Sequence, residues 1–177
     1  ERLLQWLIDN KSPHFPTICW GYQYPWQDVG FFAKANLPNR VVTYFVSTAF
    51  MEAYEITGNQ KYLDVVEEAL KFLLDAPKVL YEDETMKCLS YVPDEKINWI
   101  VMDVSALTAS IAARFYKHRP SEYLLEQSTK LIRFVVDKQT DYGAWFYSHP
   151  AGDHSKMHDN YHTGYICDAI LEYSKYT

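Results

Sequence analysis

From Thr43 to Thr57 the chain (TYFVSTAFMEAYEIT) sets apolar and small residues on most faces of a helix. From Lys61 to Leu74 (KYLDVVEEALKFLL) the pattern changes: Leu63, Val66, Leu70 and Leu73 recur at helical spacing, and Asp64, Glu67, Glu68 and Lys71 fall opposite them. A helix apolar nearly all round belongs inside a protein, and one with a single apolar stripe belongs on its outside. Gly58-Asn59 separates the two, as a helix C-terminus should. The pair then recurs. Val104 to Tyr116 (VSALTASIAARFY) is the inner type, His118-Arg119-Pro120-Ser121 is the break, and Glu122 to Val136 (EYLLEQSTKLIRFVV) is the outer type. Arg2 to Ile8 reads as the tail of an earlier outer helix, and His162 to Tyr176 as a third inner helix.

The links between helices repeat as well. Cys19-Trp20-Gly21-Tyr22, Cys88-Leu89-Ser90-Tyr91 and Ala144-Trp145-Phe146-Tyr147 each put Tyr three places after a small residue, with Pro25, Pro93 or Pro150 soon after. Each predicts a short extended segment and a turn. Outer-to-inner links are therefore long and aromatic, and inner-to-outer links short. This asymmetry predicts that the elaborate loops and the N-termini of the inner helices share one face. Hairpins with a buried inner helix stack side by side and curve. The expected fold is all-α: an incomplete (α/α)6 toroid of alternating inner and outer helices, three hairpins of six, read as one domain over residues 1–177.

Composition narrows the functions. A net charge of −6 without a basic stripe argues against nucleic acid. No apolar run reaches membrane-spanning length, and no signal-peptide pattern is present. The chain starts without Met inside an amphipathic pattern and stops in a helix, so a fragment of a longer toroid is expected, completed by sequence outside it. Cys19, Cys88 and Cys167 are odd in number and far apart, which predicts buried small residues rather than disulfides, and a reducing, cytoplasmic setting. Aromatics make up 16%, with fifteen Tyr and five Trp. Such rings stack on sugars while their polar tips hydrogen-bond hydroxyls; they also fill helical cores.

The densest chemistry is His158-Asp159-Asn160-Tyr161-His162-Thr163-Gly164-Tyr165, at the entry of the third inner helix. The unpaired N–H groups of a helix's first turn favour anions or polar ligands there. With the Thr57-Gly58-Asn59-Gln60-Lys61-Tyr62-Leu63 turn and the alternating helices, this entry resembles the six-hairpin glycosidase-like superfamily. That resemblance implies carbohydrate binding in a cleft on the loop-rich face, with hydrolases, lyases and epimerases all known in such folds. It does not choose the reaction.

If the inner helices align, their entries meet at one mouth: Asn39-Arg40, Asn98-Trp99 to Asp103, and His158 to His162, with Asp28 within reach. Asp159 is the candidate general acid or base, or equally the helix N-cap. His158 and His162 are candidate proton carriers, since an unperturbed imidazole titrates near neutral pH. Asp103, in an apolar stretch, needs a partner such as Arg40 or a histidine; with Asp159 it could perform two-carboxylate glycoside chemistry. Arg40 could hold the carboxylate of a uronic acid. Trp26, Asp28, Trp99, Trp145, Tyr147, Asn160, Tyr161 and Tyr165 are candidate sugar contacts, as are Trp20, Tyr22 and Tyr24. His154, His158 and His162 would align for a metal on one continuous helix, but Gly152-Asp153 and a cap at Asp159-Asn160 should break it, so neither metal nor cofactor is expected. The leading reading is a carbohydrate-active domain binding or processing a glycan. The alternatives are a non-catalytic polysaccharide-binding or scaffold module, and a terpenoid-cyclase-like toroid.

Overall fold

The computed structural model describes residues 1–28, 30–76 and 78–177. The chain divides into two compact units, Glu1–Pro77 and Lys78–Thr177. The first holds α1 (Arg2–Asp9), β1 (Trp26–Gln27), β2 (Phe32–Ala33), α2 (Arg40–Thr57) and α3 (Gln60–Asp75). The second holds β3 (Val79–Glu82), β4 (Lys87–Leu89), β5 (Ile100–Val101), α4 (Met102–Tyr116), α5 (Glu122–Asp137), β6 (Ser148–His149) and α6 (Asn160–Tyr176). Among the described residues the strands pair only as antiparallel ribbons, β1 with β2, β3 with β4 and β5 with β6.

In the first unit the hairpin is set by three residues. Asn39 caps α2 by accepting from the Val42 N–H at 2.8 Å, and Asn59 caps α3 by accepting from the Lys61 N–H at 3.1 Å. Between them Gly58 takes the left-handed conformation, φ 69°, that a side chain disfavours. The stripe of α3 is buried as expected at Leu63, Val66, Leu70 and Leu73. The Cys19–Tyr22 link is not a strand. It is sewn down instead by Trp20, whose N–H donates to Thr43 Oγ1 at 3.0 Å and whose indole N–H donates to the Leu7 carbonyl at 2.7 Å. Gly21 lies so close to the next loop that a Cβ there would sit 1.8 Å from the Leu37 carbonyl oxygen.

In the second unit α4 packs against α6, α5 and β4. Thirteen of its fifteen residues are buried, as an inner helix requires. The other two inner helices differ from expectation. α2 buries one face (Arg40, Thr43, Ser47, Phe50, Met51) and leaves Phe45 and Ile56 exposed, and α6 buries only Ile166 and Ala169. Helix burial follows the number of neighbours, and α4 alone is covered all round. For the same reason Cys167 is exposed on α6, contrary to its expected burial, whereas Cys19 and Cys88 are buried. Burial pushes the Cys19 thiol up to about 12, which leaves it unreactive. No helix among the described residues is long and apolar enough to cross a membrane.

Gly21→Ala should force the 19–22 link away from Leu37. The expected loss is about 1–3 kcal/mol in denaturant unfolding, and an unchanged midpoint would show that the close approach is not required.

Candidate functional site

The site is assembled by backbone pairing. Ile100 pairs with His149 and Val101 with Ser148, which joins the loop after α5 to the start of α4. Next to this ribbon the Met102 N–H donates to the Tyr147 carbonyl at 3.0 Å, and the Tyr147 N–H donates to the Met157 carbonyl at 2.8 Å. Three segments distant in sequence are thus fastened at one residue: the α4 entry, the 144–149 link, and the loop that leads into α6.

Asp159 ends that loop. It caps α6, accepting from the His162 N–H at 2.7 Å, and the same carboxylate meets the His162 ring, with Nδ1 at 2.6 Å from Oδ2 and 2.8 Å from Oδ1. Burial works against the Asp159 charge, but the backbone and ring hydrogen bonds of His162, with the charges of His162 and Lys156, hold its carboxyl below the ordinary value. An ionised carboxylate only accepts, so Nδ1 carries a proton toward Asp159. The Asp159 and His162 side chains remain 29% and 24% exposed. They line an open hollow of about 820 Å³ with Ser155, Lys156, His158 and Tyr161. On its inner side a crevice among Met102, Phe146, Tyr147, Thr163 and Ile166 is too narrow for a water molecule.

Asp103 lies in the first turn of α4, 2% exposed, and its Oδ1 has no hydrogen-bond partner. Burial raises its carboxyl to about 6; the charges of His162 and Lys156 pull it down, and that of Asp159 pushes it up. The partner expected for it is therefore His162 acting through its charge, without a hydrogen bond to Oδ1.

The remaining candidates divide. His158 lines the hollow, but both ring nitrogens are engaged: Nδ1 meets the Trp145 carbonyl at 2.7 Å and Nε2 the Tyr142 hydroxyl at 3.0 Å, and the ring stacks on Phe146 at 4.2 Å. These contacts brace the loop. Trp145 is buried, its indole N–H donating to the Val135 carbonyl at 2.8 Å, so it pegs the link to α5 and offers no platform. Tyr147 is 8% exposed, and its ring is a plate against which His154 and His162 pack, each with centroids 4.6 Å away. Trp99 meets His154 edge-on at 5.3 Å. Asn160 begins α6, and Tyr161, 72% exposed, stands against Tyr165 at 4.9 Å as an aromatic rim.

Trp26, Asp28 and Arg40 belong to the first unit. Trp26 packs edge-on to Tyr22 and Phe31, Tyr24 stacks on Tyr22, and the Asp28 N–H donates to the Phe31 carbonyl at 2.9 Å, closing the β1–β2 turn. Trp20 is buried by the bonds that sew it down. Arg40 departs from its expected role as a carboxylate fork. It is 1% exposed and turned inward, Nε donating to the Leu73 carbonyl at 2.9 Å and Nη2 to the Ala76 carbonyl, where a cation offsets the negative end of α3. The aligned histidines do not form on one helix either: α6 begins at Asn160, and His154 is buried in the preceding loop with Nδ1 accepting from the Lys156 N–H at 3.0 Å. Lys156, which lines the hollow, is the residue there that spacing missed. Nothing in the pattern separates Lys156 from the other cations of a chain holding 17 Lys and Arg.

The Asp103 carboxyl makes stability depend on pH. Its folded value lies above the unfolded one, so the folded state binds the proton more tightly, and stability falls as pH rises from about 4 to about 6. Asp103→Asn should remove this decline and raise stability at neutral pH by on the order of 2 kcal/mol. Urea unfolding of both proteins across that range measures it.

No protein-family model and no curated protein matches the sequence. Solved structures do. Cellobiose 2-epimerase from Spirochaeta thermophila aligns over 98% of this chain and 46% of its own, at 16% identity and a TM-score of 0.71. Unsaturated glucuronyl hydrolase from Bacillus sp. GL1 aligns over 98% and 48%, at 14% identity and 0.66. A glycoside hydrolase family 76 α-mannanase from Bacteroides thetaiotaomicron aligns over 88% and 46%, at 17% identity and 0.62. The chain spans a little under half the length of each of these structures. At such identities the likeness shows the fold alone, and that fold is part of an (α/α)6 toroid.

Proposed function

We propose that this chain is a carbohydrate-processing domain whose chemistry is proton transfer by the Asp159–His162 pair. The observation that carries the reading is that one carboxylate both caps α6 and holds the His162 Nδ1 proton at 2.6 Å. A cap alone needs no imidazole. A ring oriented in this way presents Nε2 as a general base, and the carboxylate then stabilises the imidazolium that forms, which can return the proton as an acid. The pair lies on the wall of a hollow rimmed by Tyr161, a surface suited to stacking against a sugar ring. The aligned solved structures include enzymes named as a sugar epimerase, a hydrolase and a mannanase, which supports a carbohydrate ligand.

The same geometry favours proton abstraction, as in epimerisation or elimination, over hydrolysis by two carboxylates. Two-carboxylate hydrolysis needs both acids at the scissile bond. Asp103 is 2% exposed and lies outside the residues lining the hollow, so it acts as a buried charge behind His162 and not as a partner at the bond. The remainder of the toroid, from sequence outside this chain, would complete the wall of the cleft.

Products formed from a panel of neutral and acidic oligosaccharides, followed by NMR, test this reading. His162→Ala should lower turnover at least about a hundredfold. Asp159→Asn should lower it strongly as well, because an amide no longer fixes the ring as a carboxylate does. Wild-type turnover that survives both substitutions would sink the assignment.

A further inference from the structure

We infer that Lys156 is the residue that selects an acidic sugar, receiving the carboxylate of a uronic acid in the hollow beside His162. This deepens the proposed function and rests on it. Arg40, the cation that sequence alone suggested for this task, is closed off inside the first unit on the carbonyls of α3. Lys156 is placed differently. Its backbone is pinned, the N–H donating to Nδ1 of buried His154 at 3.0 Å. Its ammonium group lies 4.7 Å from the centroid of the Tyr147 ring, a cation–π contact. The same ring packs against His162. One phenol therefore holds both the cation and the imidazole, so Lys156 is part of the wall that Asp159, Tyr161 and His162 form.

Two features make this lysine a ligand group rather than one half of a closed ion pair. Asp159, the carboxylate that lines the hollow with Lys156, is already bonded through both oxygens to His162. Asp103 feels the Lys156 charge from within the protein, 2% exposed. Lys156 is an exposed residue and lines the hollow. A lysine already held on an aromatic face loses less side-chain freedom on binding than one extended in water. The whole chain carries a charge of −6, so any preference for an anionic ligand must come from a local cation and not from the overall field.

Calorimetric titration with uronate disaccharides of the galacto and gluco series, each paired with its methyl ester, tests this on the full chain. The ester keeps the shape of the sugar and removes its charge. The wild type should bind at least one acid about tenfold more tightly than its ester, the size of one charge-assisted contact, and the preference should shrink as salt is added. In Lys156→Ala the acid and ester should bind alike. Lys156→Arg should keep most of the preference. An acid preference that persists in Lys156→Ala overturns the inference, as does a wild type that binds acid and ester equally. If His162→Ala still abolishes ester turnover in those cases, the Asp159–His162 reading stands without it. If the wild type binds neither form of any pair and turns over no sugar, both fall together.

Discussion

The backbone of Tyr147 is the joint on which the site depends. Its carbonyl accepts from Met102 at the α4 entry and its N–H donates to Met157 in the loop before α6, so one peptide unit on each side fastens a segment remote in sequence. The β5–β6 ribbon extends the joint by two residue pairs. Because the backbone is held on both sides, the ring has one place to go, against His154, His162 and Lys156. Buried backbone groups must be paired, and here the pairing that satisfies the link also gathers the chemistry.

The second constraint is the burial of α4. A helix packed by α5, α6 and β4 carries every residue of its first turns inward, including Asp103. A carboxylate there is costly unless it is neutral or faces a positive charge. Both remedies are partly present: its affinity for the proton is raised, and His162 and Lys156 oppose its charge. At the entry of α6 a single residue type meets two needs. Asp159 satisfies a free N–H of the first turn, and because His162 is three residues on, the same oxygens reach its ring. Capping and orientation, which the sequence presents as alternatives, are one interaction.

Much of the fold was legible. The apolar periods of 43–57, 61–74, 104–116 and 122–136 lie within α2 to α5, and Gly58 and Asn59 stand where a helix ends and the next begins. Periodicity reports which faces are apolar but not how many neighbours will cover them, which is why α2 and α6 are far less buried than α4. Aromatic content was ambiguous for a similar reason. Trp20 and Trp145 face inward because their indole N–H groups found carbonyls at Leu7 and Val135, while Tyr161 faces out at the end of a helix.

Sequence alone determined the helical hairpins, the capped entry at Asp159 and the grouping of His158, Asp159 and His162, because local periodicity and capping act over a few residues. Tertiary structure decided what each group does. His158 became a brace because Trp145 and Tyr142 occupy both its nitrogens; Arg40 was drawn to the end of α3; and Lys156, unremarkable in the pattern, was set on Tyr147. These outcomes depend on which partner arrives from nine or more residues away, and no local pattern encodes that.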